Sequence, residues 1–366
     1  MELIATAAFG LEGLVKQELQ KLGFEAKAEP GGARFQGELA DAFKANLWLA
    51  CADRVMWVLA EKEALTFEAL FELVRDIPWE QILPRDAAFP VSGNCARSRL
   101  MSVSDCQSIA KKAIVERLKQ RHKTQWFPET GPLFPISVTL HRDVARIAID
   151  ASGDALSRRG FRTYVGEAPI RETLAAAMLR LSGWQADRPL HDPCCGSGTL
   201  LLEAAFLAAG RASGLSRGFI MEKWPGSKAH SNHLIREEAR AAFSLKQLPP
   251  ISGSDISPEA LALCSKHLRQ AGLADKVRVY RADLRQLSLE AQKPFFIANP
   301  PYGERLGDKK ASDRLAADFG GLMTRHPQAS LAVITANHSF ERMMKRRAHS
   351  RRRLYNGRLE CEFLIF

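Results

Sequence analysis

Asn299-Pro300-Pro301-Tyr302-Gly303 puts an amide, two prolines and an aromatic ring directly after an apolar run at residues 295–298. Those side chains suit one demanding reaction. An aryl amine is a poor nucleophile because its lone pair is delocalised into the ring. A catalyst must hold its N–H groups while the nitrogen becomes tetrahedral and attacks a methyl group. The side-chain oxygen of Asn299 and the carbonyl of Pro300 can supply two acceptors, which stabilise charge that develops only in the transition state. Consecutive prolines stiffen the loop, and Tyr302 offers a face on which a base can stack. The plainer alternative is a rigid turn after a strand.

A second cluster precedes it in the chain. Asp192-Pro193-Cys194-Cys195-Gly196-Ser197-Gly198-Thr199 follows a short apolar segment. Its glycines permit a tight turn and close approach of a ligand. A phosphate-binding P-loop would need lysine before the hydroxyl residue, and here Gly198 precedes Thr199. A dinucleotide fingerprint would need a small residue where Leu201 stands. S-adenosylmethionine, which carries no phosphate, needs only the turn. Further on, Asp255 closes a strand-like run and can accept both hydrogen bonds of a ribose diol. Asp283 closes the next run and can accept from an adenine amino group. Each aspartate alone also reads as a turn or helix cap. Two of them in consecutive strand–helix units after a glycine-rich turn favour an adenosine pocket without a phosphate site.

The elements that must position these residues can be read from periodicity. From residue 160 onward, strands at 189–192, 251–255, 277–281, 295–298 and 330–335 alternate with helices at 199–209, 258–272 and 311–324. A helix over 169–183 precedes them and two short strands end at 366. Such alternation predicts a mostly parallel sheet with helices on both faces, whose ligands sit beyond the carboxyl ends of the strands. Residues 210–250 read as an irregular excursion in which Trp224 is expected to be a buried anchor. Residues 1–62 read as a small unit with strands at 3–8, 34–36 and 54–60, helices at 12–22 and 41–49, and a turn over Glu29-Pro30-Gly31-Gly32. Residues 63–155 predict helices over 67–77 and 105–120, the latter capped by Ser104, with strands at 89–94, 134–141 and 144–151. The expected domains are therefore 1–62, 63–155 and 160–366.

Composition narrows the partners. The 366 residues are 46% hydrophobic and 25% charged, which excludes a disordered or fibrous chain. No apolar run is long enough to cross a bilayer as a helix, and the first residues lack the basic start of a secretory signal. Seven scattered cysteines suit a reducing, cytoplasmic setting. His191 beside Cys194-Cys195 lacks the spacing of a closed zinc site, so packing is expected and no metal. Of the net charge of +11, residues 156–366 carry 33 basic and 20 acidic side chains. Residues 95–124 carry 8 basic against 2 acidic, and residues 342–353 carry 7 basic and none acidic. A solvated basic face would look like this, and so would a surface for a polyanion. Arg97, Arg99, Lys111 and Lys112 are the expected phosphate contacts.

The run of motifs PIRETLAAAMLRLSGW, DPCCGSGTLLLEAA, SDIS, RADL and NPPYGERLG resembles the THUMP-domain class I methyltransferases, over the whole chain. The group most similar methylates guanine N2 in large-subunit ribosomal RNA. The resemblance implies an α/β architecture: a Rossmann-like class I methyltransferase domain preceded by an α+β ferredoxin-like and THUMP RNA-binding region. It implies S-adenosylmethionine as cofactor, with Thr173, Asp192, Cys194, Gly196 and Gly198 around its methionine end, Asp255 at the ribose and Asp283 at the adenine. Asn299, Pro300 and Tyr302 would meet the target base. The implied substrate is guanine N2 of 23S rRNA. Guanine N2 in tRNA, adenine N6, and a non-catalytic RNA-binding role stay open. A fragment from residue 160 is expected to bind cofactor by itself.

Overall fold

The computed structural model describes residues 1–124, 126–160, 170–301 and 309–366. The first half contains β1 (Glu2–Thr6), α1 (Glu12–Lys21), β2 (Ala26–Glu29), β3 (Gly32–Gln36), α2 (Leu39–Trp48) and β4 (Arg54–Glu63). It continues with α3 (Phe67–Asp76), the one-turn α4 (Trp79–Ile82), β5 (Val91–Ala96), α5 (Val103–His122), β6 (Ile136–His141) and β7 (Val144–Asp150). The strands form a single sheet in the order β2-β3-β1-β4-β7-β6-β5. The join is β4. Its ten residues pair with β1 on one edge and with β7 on the other, from Met56 opposite Asp150 to Glu63 opposite Val144. A cluster of charges crosses the seam: Arg146 meets Glu29 at 2.7 Å and Glu61 at 3.1 Å, while Arg34 reaches Glu29 at 2.7 Å.

Two local readings are corrected here. β2 was not expected, because its apolar side chains are two alanines and it exists by pairing with β3. Helix α5 begins two residues early: the hydroxyl of Ser102, not Ser104, accepts from the Asp105 N–H at 3.4 Å. Cys106, Ala110, Ala113, Ile114 and Leu118 then form its buried face.

The second half contains α6 (Glu172–Leu181), β8 (Leu190–Asp192), α7 (Thr199–Ala208), α8 (Ala229–Ala242), β9 (Ile251–Asp255), α9 (Pro258–Gln270) and β10 (Val277–Arg281). Then come β11 (Phe295–Ala298), α10 (Lys309–Arg325), β12 (Ser330–Thr335), α11 (Phe340–Met344), β13 (Ser350–Asn356) and β14 (Leu359–Ile365). The order is β10-β9-β8-β11-β12-β14-β13. The first five strands run parallel; β14 is antiparallel to its neighbour β12, and β13, antiparallel to β14 in the closing hairpin, returns to the common direction. Every residue of β8 and β11 is buried, as central strands covered on both faces must be. These two are neighbours, and the winding reverses between them. The residues that follow them therefore open onto the crevice where such sheets take ligands.

The excursion after α7 is more ordered than its sequence suggests. It holds a short 3-10 turn over Ile220–Lys223 and the helix α8, whose only buried residues are Asn232 and Ala239. So thin a buried face leaves no apolar stripe to read. Trp224 is the anchor expected of it: its ring stacks on Phe134 at 4.8 Å, and its indole N–H donates to the Leu133 carbonyl at 2.9 Å. Phe219 meets Phe43 edge-on at 5.7 Å.

Buried charges add to this dock. The Arg159 guanidinium pairs with Glu203 of α7 at 3.0 Å and donates to the Ala50 carbonyl at 2.7 Å. Arg180 of α6 reaches Glu18 of α1 at 3.0 Å. A fragment from residue 160 would leave Trp224 and Phe219 without their aromatic partners and Glu203 buried without its cation. Such a fragment is therefore expected to be less stable than the whole chain, and calorimetry with S-adenosylmethionine would read whether it still binds the cofactor.

Candidate active site

A cavity of about 760 Å³ lies at the carboxyl edge of the second sheet. The loops after β8, β9, β10 and β11 form its wall, and α10 closes one side. Of the residues singled out from sequence, Asp192, Cys194, Gly196, Asp255, Asp283 and Asn299 share this wall.

The turn after β8 is held from within. Asp192 accepts from the Cys194 N–H at 3.0 Å, and the Cys195 N–H donates to the Ser254 carbonyl at 3.0 Å. Gly196 has φ +50° and donates its N–H to Asp255 at 2.9 Å. A Cβ at Gly196 would meet no protein atom within 4 Å, so this backbone faces open cavity. Gly198 serves differently. Its φ is +84°, and a Cβ there would stand 2.5 Å from the Cys264 sulfur, so the glycine lets α7 and α9 approach and does not line the cavity. Thr173 also turns elsewhere: its hydroxyl lies 3.5 Å from the Asp53 carboxylate, and Ile170, just before α6, reaches the wall instead.

The electrostatics suit a ligand carrying positive charge. Burial pushes the Asp192 carboxyl up to about 8; the Cys194 N–H pulls it down, and nearby Asp255 adds to the rise. A cationic group beside it would favour the ionised form. Asp255 accepts from Gly196 through one oxygen and from the Ser257 N–H, at 3.0 Å, through the other. Each oxygen keeps a lone pair for a further donor. Ile256, next in the chain, is 65% exposed and offers an apolar face to the cavity. Arg285, through its side-chain hydrogen bonds, holds the Asp283 carboxyl at about 2, with Nε 3.0 Å from Oδ1.

Asn299 supplies the most telling observation. Its side-chain oxygen is buried and has no hydrogen-bond partner, and an unsatisfied buried acceptor costs about 1–3 kcal/mol. Pro300 is buried behind it, and Pro301 stands on the wall. Tyr302 lies outside the described residues. Arg314 and Asp318 of α10 were not found from sequence; they sit one turn apart and reach the wall only once α10 is folded over the crevice.

His191 is a packing residue, as expected. Its ring nitrogens engage the hydroxyls of Ser252 and Ser254 at 2.8 and 3.0 Å, and burial holds it neutral with a pKa near about 4. Among the described residues no group of His, Cys, Asp and Glu is arranged to hold a metal ion. Of the expected phosphate contacts, Arg97, Arg99 and Lys112 are exposed. Lys111 is an internal latch: it pairs with Glu129 at 2.7 Å, donates to the Phe89 carbonyl at 3.1 Å and lies 3.5 Å from the Phe89 ring centroid.

A parallel sheet ending in an antiparallel hairpin, with ligand-facing carboxylates after successive strands and Asn-Pro-Pro after the fourth, defines a class I methyltransferase. The chain belongs to the RMKL-like methyltransferase family: residues 159–365 match the RMKL-like methyltransferase domain, residues 2–56 the RlmL ferredoxin-like domain and residues 64–150 the THUMP domain. It is 37% identical to YpsC of Bacillus subtilis, an RNA methyltransferase by name, over 99% of this chain and 94% of that one. It is 35% identical to the ribosomal RNA large subunit methyltransferase K/L of Methylococcus capsulatus, over its full length but only 51% of that protein. The crystal structure of the methyltransferase SMU.472 complexed with SAH superposes with a TM-score of 0.94 at 38% identity, covering 100% of this chain and 97% of that one. The protein is thus an RNA methyltransferase that uses S-adenosylmethionine. The open backbone at Gly196, the apolar Ile256 and the carboxylates of Asp192 and Asp255 fit that cofactor.

Asp255→Ala removes two free acceptor sites together with the carboxylate that fixes Gly196. Hydrogen bonds to charged groups are each worth about 1.5–3 kcal/mol, so S-adenosylmethionine affinity should fall by at least about tenfold in calorimetry. Unchanged affinity would remove Asp255 from the cofactor site.

Proposed function

We propose that this protein methylates the exocyclic N2 of a guanine in 23S ribosomal RNA, acting in the cytoplasm through the units 1–62, 63–155 and 160–366. The unpartnered Asn299 oxygen carries the proposal. A buried acceptor at the end of β11, beside a cofactor-sized cavity, is what an incoming amine needs. Asn299 Oδ1 and the Pro300 carbonyl accept the two N–H groups of the target and so orient the nitrogen lone pair toward the cavity. The bound cofactor supplies an electrophilic methyl on a sulfonium. As positive charge develops on nitrogen, the two acceptors stabilise it, and the extra proton then leaves to solvent. The target base must first leave its stack, at a cost of a few kcal/mol, and Tyr302 is assigned as the surface that receives it. Arg97 and Arg99, ahead of α5, and Lys112 on it hold backbone phosphates, with Lys111 tying that helix to Glu129 and Phe89. The choice of ribosomal over transfer RNA rests on the name of the Methylococcus relative, of which this chain spans about half.

The test is methyl transfer to naked 23S rRNA, assembled 50S subunits and bulk tRNA, with the modified nucleoside identified by mass. N2-methylguanosine in 23S rRNA is the expected product. The same nucleoside in tRNA alone would overturn the substrate, and N6-methyladenosine would overturn the acceptor.

A further inference from the structure

A second concavity lies far along the chain from the catalytic loops, where α5 ends. It encloses about 230 Å³ and is lined by Arg85, Asp86, His122, Thr124, Trp126 and Phe127, with Pro128 at its edge. That volume is below the usual range for drug-sized ligands, about 300–1,000 Å³, and suits a single ring system. Three features separate it from an ordinary surface dent. The Nε2 of His122 is buried without a hydrogen-bond partner, a cost that a ligand would relieve. Trp126 is 73% exposed, although a large ring is normally packed away. The surroundings are basic: Lys119 lies one turn before His122 on α5 and Lys123 follows it, while Arg121 is paired with Glu80 at 3.3 Å. Lys123 caps the helix in the left-handed conformation, with φ 51°. The helix C-terminus itself disfavours an anion, so the attraction must come from these side chains and Arg85. The Asp86 carboxylate adds an acceptor.

We propose that this pocket binds one unpaired nucleotide of the RNA substrate, its base stacked on Trp126 and its edge hydrogen-bonded by His122 and Asp86, with Arg85 at the phosphate. The inference rests on the reading that the protein acts on RNA. An exposed aromatic face, the unpartnered His122 Nε2 beside the Asp86 carboxylate for a base edge, and nearby cations are the ingredients of single-strand recognition. The site is in the 63–155 unit. It would therefore hold a nucleotide other than the one being methylated.

The experiment is fluorescence anisotropy with a labelled single-stranded RNA of mixed sequence, over a range of salt, on full-length protein. Stacking of one base is worth about 1–3 kcal/mol. Trp126→Ala should therefore weaken binding by about 5–150-fold, Trp126→Phe should restore most of it, and neither should change the salt slope, because no charge is removed. A double reversal, Arg97→Glu with Arg99→Glu, provides the contrast, with a flatter slope. Trp126 is exposed, so its loss should leave the thermal midpoint in place. Unchanged affinity in Trp126→Ala overturns the pocket while leaving RNA binding intact, as does a loss that Phe does not rescue. A wild-type protein that binds no RNA overturns the underlying reading as well.

Discussion

Asn299→Ala is expected to lower kcat by about 10²–10³, the usual cost of losing one acceptor or donor aimed at transition-state charge. The cofactor affinity should hardly move. The structure supports this division of labour. Asp192, Gly196 and Asp255 form one side of the cavity through their own hydrogen bonds, and Asn299 shares none of them. Its oxygen is unpartnered, so removing it breaks no internal bond. Stability should stay level or rise slightly, since the orphaned acceptor is a cost in the free protein. Single-turnover methyl transfer, with calorimetry for the cofactor, reads both quantities. More than half of the wild-type rate in the variant would end the acceptor role, and a parallel loss of cofactor affinity would mean that Asn299 merely shapes the pocket.

Glu203→Ala should produce the largest loss of stability, about 3–5 kcal/mol, because it leaves the Arg159 guanidinium buried without its counter-charge. Only 2% of the Arg159 side chain and 6% of the Glu203 side chain are exposed. Burial pushes the Glu203 carboxyl up and Arg159 pulls it down. The remaining hydrogen-bond partners of Arg159, the carbonyls of Leu156 and Ala50, are neutral, and the Glu172 carboxylate acts on it more weakly than Glu203 does. Glu203→Gln keeps an acceptor in place and should cost less. Urea midpoints would measure both. A Glu203→Ala protein within about 0.5 kcal/mol of wild type, the range of an ordinary surface substitution, would show that water or a shifted carboxylate takes over the charge.

The cavity wall was legible in the sequence to an unusual degree. Short apolar runs ending in Asp192, Asp255 and Asn299, with Asp283 just past another, were enough to place these residues at one edge of a parallel sheet, because strand ends and ligand crevices coincide in that architecture. What escaped depends on contacts distant in sequence. Thr173 sits in the expected helix, yet its hydroxyl is turned toward Asp53 of the first unit, which no local pattern encodes. Arg314 and Asp318 join the wall through the placement of a helix. β2 has too little apolar content to signal a strand. Lys111 read as an exposed cation because helical periodicity marks a polar face, whereas Glu129 and Phe89, far away in sequence, claim it.

The ten-residue strand β4 belongs to both N-terminal units at once, and Trp224 fastens the catalytic half to Phe134 beside the same sheet. A reader built this way works as a caliper. An RNA held at the 63–155 unit presents to the catalytic crevice only nucleotides that its own folding brings to a set span and direction. On the proposed role of that unit, target choice would depend on the three-dimensional shape of the RNA around the modified base more than on the letters beside it. Relatives could acquire new targets by changing the angle across that shared strand while leaving every residue of the crevice untouched.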